Sequence, residues 1–528
     1  MKPQIINIVN FVRGAEPRDN TLDLVEPVRN QIEILHRNHL PGTFLLQYDA
    51  MMRNDIYDLF QGGENQFEIG LWLELVQPLV EKAGVKWRGR PGFSWDWHVN
   101  AGSLIGYKPE ERRKIIDVFM CDFRTLFGSY PRSAGAWLID ADSLAYLAEQ
   151  YGVEAFCNCR DQWGTDGYTL WGGYYGQAYY PSRQNAFIPA QNGMNQIDIP
   201  VFRMLGSDPI YQYDAGMDEN FNASVWQDVY TLEPTCGQGG GSPSWVRWFF
   251  KENFNGHCLS FGYAQAGQEN SFGWTAMKNG ILDQFGLIAE LVSKNKLKAM
   301  TLGETGGWYR AQFRQTPCSA IAALSDWRGQ NKRSIWFSSR FYRANIFWGD
   351  QTLLIRDIHL FREDYSERFL RTQCDGTGCT YDSLPFMDGS QWSGNGTRAG
   401  VYPVAEGSDS AFTPETGSKM KMEEKGENLS CEWHLEQGEK IKIECGPNYL
   451  EFSRDTPDWK LAFYVDGNAD LPRFEIRERA LSLIHCRFPY LVTLDAGRFS
   501  QSDRPDILFF VKPEGGRVRF LFDSNTQK

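Results

Sequence analysis

The sequence predicts an α/β fold: a (β/α)7-8 barrel over residues 1–325, then a C-terminal antiparallel β-sandwich over residues 331–528. Three observations carry this expectation. The 528 residues exceed the ~250–300 at which a single hydrophobic core stops growing. Up to about residue 325, short apolar runs alternate with amphipathic runs of helical period, the pattern of parallel strands joined by crossover helices. After Lys332 the helical period disappears, and short apolar runs are separated by Gly, Asp, Asn and Pro at near-regular spacing, as antiparallel strands require.

Residues 5–12 read as the first buried strand, and charges begin where it stops, at Arg13, Glu16, Arg18 and Asp19. Val25, Val28, Ile32 and Leu35 recur at helical spacing, and Pro41-Gly42 closes that helix before a second strand at 43–48, followed by Asp49. A third strand at 67–72 has Glu68 and Glu74 about it, and residues 87–100, with Trp95-Asp96-Trp97-His98, form a polar-aromatic insertion. Pro109 opens a long amphipathic helix through Ile115, Phe119, Phe123 and Leu126 that Gly128 ends. Further strands are expected at 134–139, 154–159, 197–202, 258–263 and 299–302, with Asp140, Asp161, Asp208, Glu269 and Glu304 beyond their ends. Polar residues gathered after the strands are what the C-terminal face of such a barrel carries. In the second half, residues 334–339, 352–358, 440–445, 461–465, 491–494 and 507–511 read as sandwich strands, and 394–428 as a long loop.

A formal charge of −12 disfavours nucleic acid or an anionic membrane surface as partner. No apolar run approaches the ~18 residues of a membrane span. The N-terminal segment does not read as a signal peptide, and 11 cysteines without zinc-ligand spacing read as reduced thiols, which together predict a cytoplasmic location. No Gly-rich phosphate loop precedes a helix with Lys-Ser/Thr, so no nucleotide or other cofactor is expected. The oligomeric state is not legible.

Residues 161–181, DQWGTDGYTLWGGYYGQAYYP, place Trp163, Tyr168, Trp171, Tyr174, Tyr175, Tyr179 and Tyr180 among glycines, with Asp161 and Asp166 as the charges. Flat rings with polar tips, next to a few carboxylates, suit a pyranose, whose faces carry C–H groups and whose rim carries hydroxyls. Carbohydrate is therefore the ligand class expected. The competing expectation is an aromatic-rich loop that packs against its own barrel.

Asn10-Phe11-Val12-Arg13-Gly14 ends the first strand, Glu68-Ile69-Gly70-Leu71-Trp72 forms the third, and Tyr130-Pro131 precedes the fourth. In this order the chain resembles the glycoside hydrolase/deacetylase superfamily of β/α barrels, whose members include polysaccharide deacetylases and family-57 and family-38 type glycosidases. The likeness covers roughly residues 5–310. Deacetylases of that superfamily hold a divalent metal with first-strand aspartates and two histidines four apart after the third strand. Val12, Arg13, Trp72 and Val76 stand at those places here, so no metal site is expected and the glycosidase branch is implied.

Glycoside hydrolysis needs two carboxyl groups, one to protonate the leaving oxygen and one as nucleophile or base. The candidate catalytic residues are Asp140, Glu269, Asp161 and Glu74, with Asp140 and Glu269 the pair expected to face each other, since the resemblance implies a nucleophile after the fourth strand and an acid after the seventh. Asp140 could instead cap the helix that follows it. Trp72, Trp97, His98, Trp163, Asp166, Tyr168, Trp171, Tyr174 and Asp208 are the candidate substrate-binding residues. Glu304 reads as a helix cap. The reading is a carbohydrate-active enzyme that hydrolyses glycosidic bonds of an oligo- or polysaccharide; the rivals are a carbohydrate deacetylase with a rearranged site and a non-catalytic sugar-binding protein.

Overall fold

A computed structural model describes residues 2–523 apart from 62–66, 160, 166–167, 205, 213–229, 382, 395, 408–412 and 437, and excludes the side chains of 162–165 and 168–169. Eight parallel strands organise the first half: β1 (Gln4–Val12), β2 (Gly42–Leu46), β3 (Phe67–Trp72), β4 (Ser133–Gly135), β5 (Ala155–Asn158), β6 (Val201–Arg203), β7 (Gly262–Ala266) and β8 (Lys298–Met300). The sheet runs β7-β1-β2-β3-β4-β5-β6. Ile5 pairs with Tyr263 of β7 and with Lys298 of β8, so these two strands flank the first half of β1, while Val9 onward pairs with β2. Strand β1 is buried along its whole length, which is why apolar residues occupy both of its faces, with Asn7 and Asn10 buried among them.

The expected barrel is corrected in one respect. Among the described residues β6 and β7 form no ladder with each other, so the sheet curls but keeps an open seam. The free edge of β6 is taken antiparallel by Ala178–Tyr179, which satisfies its backbone groups without closure. The seventh strand also starts later than its apolar run: Leu259 adopts φ 60°, which breaks the extended run 258–263. Gly267 then turns with φ 116°, where a Cβ would lie 2.0 Å from the Val9 carbonyl oxygen, and this turn carries the chain from β7 to Glu269.

Helices pack outside the sheet, among them α1 (Glu26–Arg37), α2 (Pro109–Phe127), α3 (Ala141–Tyr151), α4 (Pro243–Asn253) and α5 (Trp274–Ser293). Helix α4 buries Trp245, Val246, Phe249 and Phe250, an apolar face that the strand–helix reading of the sequence passed over.

From Ser319 the described strands, apart from Cys379–Tyr381, are antiparallel among themselves and form one sheet of nine and one of eight. Trp433, Phe452, Trp459, Phe463, Val511 and Phe520 fill one core between them, which fits the expected sandwich. Residues 394–428 are not simply a loop: Gly400–Ala405 and Gly417–Lys425 are strands. The second escaped the sequence reading because it is an edge strand whose residues after Gly417 are all partly or fully exposed, and Lys and Glu dominate it.

Between the two halves lie residues 161–196. Tyr168–Leu170 pairs in parallel with Cys379–Tyr381 from the second half, and Trp171, Tyr174, Tyr175, Tyr179 and Tyr180 are all buried. Gly172, at φ 84°, leaves room where a Cβ would strike Ser383 at 2.4 Å.

Candidate active site at the barrel mouth

The C-terminal ends of parallel strands form the mouth of such a sheet, and its centre is Arg13, directly after β1. Arg13 donates from Nε to Glu74 Oε2 (2.8 Å) and from Nη2 to Glu74 Oε1 (2.9 Å), a bidentate fork. Its Nη1 reaches Glu269 Oε1 (3.0 Å) and Ser271 Oγ (2.8 Å), and Glu16 lies 3.8 Å away. The guanidinium lies over the Trp95 ring at 4.1 Å. The loop that carries Glu269 is tied to the same strand end: Arg13 N donates to Asn270 Oδ1 (2.8 Å), and Asn270 Nδ2 donates back to Arg13 O (2.9 Å) and to Leu24 O (2.8 Å). Glu74 also accepts from the indole N–H of Trp137. The Trp72 ring is tilted against Phe11 (4.2 Å) and lies edge-on to Trp137 (4.9 Å), which bonds Glu74.

Arg13, Glu74 and Glu269 are all buried, and burial sets their electrostatics. Burial works against the Arg13 charge, yet Glu269 and Glu74 outweigh it and hold the guanidinium pKa above its ordinary value. Burial pushes the Glu269 carboxyl up to about 7; Arg13 pulls it down and the neighbouring Glu74 pushes it further up. Glu269 Oε1 accepts from Arg13 and Ser271 (2.8 Å), whereas Oε2 has no hydrogen-bond partner. Asp49, after β2, keeps a partly exposed edge and is raised by burial to about 6 while accepting from Gly14 N (3.1 Å).

The other sequence-predicted residues are placed as follows. Asp140 is fully buried and caps α3, accepting from Ser143 N (2.9 Å) and Ser143 Oγ (2.7 Å), with Arg112 Nη1 at 3.2 Å. Glu269 thus shares Arg13 with Glu74, and the expected pairing of Asp140 with Glu269 is not what the mouth brings together. Asp161 is buried against Arg343 (2.7 Å), with Arg203 at 3.9 Å, and burial raises its pKa. Asp208 accepts from Ile210 N, Tyr211 N, Trp245 Nε1 (3.1 Å) and Trp327 Nε1 (2.7 Å), which makes it the anchor of a turn. His98 lies 3.5 Å from Asp96, which Arg90 grips with two bonds, and Trp97 stands under Arg90 at 4.2 Å. Trp171 donates to Asp388 (2.8 Å), and the Tyr174 hydroxyl meets Ser319 Oγ (2.7 Å). Asp166 and the side chains of Trp163 and Tyr168 lie outside the described residues. Glu304 forms a capping box with Thr301, as its sequence position predicts.

Sequence reasoning counted Arg13 only as a residue unable to bind metal, and missed it as the group that gathers Glu74, Glu269 and Glu16. A strand-end arginine in a sheet mouth otherwise rich in carboxylates was the available signal. The guanidinium fills the space between the mouth carboxylates, and among the described residues no group of three or more His, Cys, Asp or Glu is arranged to hold a metal ion.

No family model matches the chain, and no curated protein matches it. Solved structures with related folds include a glycoside hydrolase/deacetylase candidate from Parabacteroides distasonis, at 15% identity and TM-score 0.49 over 71% of this chain and 88% of that one. A polysaccharide deacetylase candidate from Mycobacterium smegmatis matches at 15% identity and TM-score 0.35 over 59% and 91%. A GH57-type branching enzyme from Pyrococcus horikoshii matches at 11% identity and TM-score 0.27 over 60% and 72%.

Proposed function

We propose that this protein is a carbohydrate-active enzyme that hydrolyses glycosidic bonds at the sheet mouth, with Glu269 as general acid and Glu74 as the carboxylate opposite it. The observation that carries the reading is Glu269 itself: a carboxyl raised by burial to about 7, with Oε2 free of partners. A carboxyl that keeps its proton near neutral pH can give it to a departing glycosidic oxygen. Glu74 supplies negative charge for an oxocarbenium-like transition state, and Arg13 fixes the spacing between the two groups by holding each with a different edge. The partly exposed Trp137, bonded to Glu74, offers a ring on which a sugar face can rest.

Arg13 also supports hydrolysis over metal-dependent deacetylation, because a fixed guanidinium between the carboxylates repels a divalent cation. The test is turnover of a panel of glycosides and acetylated sugars by the purified protein, with and without chelator. Release of reducing ends that survives chelation and falls by a factor of ~10²–10⁴ in Glu269→Gln supports the assignment. Acetate release that chelation abolishes sinks it.

A further inference from the structure

The seam left open between β6 and β7 contains a narrow crevice of about 40 Å³, lined by Arg203 and Met204 at the end of β6, Tyr263 of β7, Phe249 of α4, Asp161 and Tyr175. Arg203 is only 6% exposed, and none of Nε, Nη1 and Nη2 makes a hydrogen bond of good geometry; the Tyr179 hydroxyl interacts with the guanidinium but gives its own hydrogen to Ala186 O (2.7 Å). The guanidinium plane lies over the Phe187 ring at 4.7 Å, and Asp161 Oδ1, itself without a hydrogen-bond partner, is 3.9 Å from Nη2. A buried guanidinium normally spends its five N–H groups on acceptors, because leaving them unmet is costly. Asp161 does not meet that need, since Arg343 holds its other oxygen at 2.7 Å. The fork is therefore pre-set for a planar or tetrahedral oxyanion that the chain does not supply.

We propose that Arg203 receives the anionic group of an acidic sugar, a uronate carboxylate or a sulfate ester, which enters through the open seam. The inference rests on the reading of this molecule as a carbohydrate-active enzyme, and it names the substrate class. The narrow crevice takes the anionic group, and the rest of the sugar lies outward.

The experiment is calorimetric and thermal-shift titration of the full chain with methyl glucuronide against methyl glucoside, glucose 6-sulfate against glucose, and inorganic sulfate, all at matched ionic strength. The wild type is expected to bind the acidic member of at least one pair 10-fold or more tighter, and Arg203→Gln to bring that pair to parity; whichever pair shows the preference identifies carboxylate or sulfate. Equal binding of acidic and neutral members by the wild type overturns the proposal without any variant, and so does stabilisation by inorganic sulfate alone. An Arg203-dependent preference in a protein that cleaves no glycoside leaves this inference standing and removes the hydrolase reading. Equal cleavage of neutral and acidic glycosides, unchanged in Arg203→Gln, does the reverse.

Discussion

Arg13 at the mouth and Arg343 at the junction of the two halves are both buried, and each is shared by more than one carboxylate. Arg343 grips Asp357 through Nε and Nη2 (both 2.9 Å), reaches Asp161 through Nη1 (2.7 Å), and Asp357 in turn faces His359 at 3.0 Å, with Asp388 on the far side of that ring at 3.3 Å. Acids and bases alternate along this chain: burial opposes the Asp357 charge, but Arg343 and His359 drive its pKa below the usual carboxylate range. At the mouth the Arg13 guanidinium alone serves both Glu74 and Glu269, while Glu16, 3.8 Å from it, is held by Arg18 (Nε to Oε1, 2.7 Å). Burial, with Glu74 beside it, lifts the Glu269 carboxyl to about 7, and one of its oxygens is left without a partner. Chemically similar parts give a clamp where charges alternate and a carboxyl raised toward neutrality where carboxylates crowd one buried arginine.

This contrast can be broken or sharpened by experiment. The largest effect expected is on catalysis, with Glu269→Gln losing ~10²–10⁴ in kcat while circular dichroism stays unchanged. On the wild type, kcat/KM should fall as pH rises past about 7, where Glu269 gives up its proton. Next comes Arg343→Met, which strands Asp161 and Asp357 and should cost ~3–5 kcal/mol in urea unfolding; a loss under 1 kcal/mol would show that the junction does not depend on this arginine.

The two networks also differ in where pH acts on stability. His359 is raised from 6.5 to about 9: burial opposes its charge, and Asp357 outweighs burial. A raised folded pKa means that the stabilisation is complete below pH 6.5 and lost as pH climbs through 9, on the order of 2–3 kcal/mol, and His359→Gln should flatten that limb. Glu269 is raised from 4.5 to about 7, so its slope lies between those values, again with stability lost as pH rises, and Glu269→Gln should remove it. Smallest is Trp171→Phe, which deletes the bond to Asp388 and should cost ~1.5–3 kcal/mol with little change in turnover.

The aromatic stretch 161–181 shows why function was harder to read than fold. Its composition suggested rings that line a cleft, yet Trp171, Tyr174, Tyr175 and Tyr179 are buried, and Tyr175 stacks on Trp336 at 3.7 Å. Amphipathic rings serve equally as sugar platforms and as packing with a hydrogen-bonding tip, and sequence does not say which surface meets them. Asp140 teaches the same point: a carboxylate after a strand and before a helix meets the requirements of an active-site acid and of an N-cap alike, and Ser143 three residues on was the cue for the cap.

The sequence by itself determined the parallel strands of the first half, because strands largely buried on both faces read as short apolar-rich runs, and the antiparallel strands of the second, because turn residues must recur between short strands. It also determined Glu74 and Glu269 as carboxylates that follow strands. Tertiary structure alone decided that these two share Arg13, that Asp140 and Asp208 are spent on local hydrogen bonds, that the sheet keeps a seam, and that Arg203 stands unmatched beside it. The shared arginine, the seam and the position of Arg203 depend on contacts between residues dozens to hundreds of positions apart, and which carboxylates are left for the mouth depends on burial, which sets the cost of a charge; neither quantity is carried by local residue patterns.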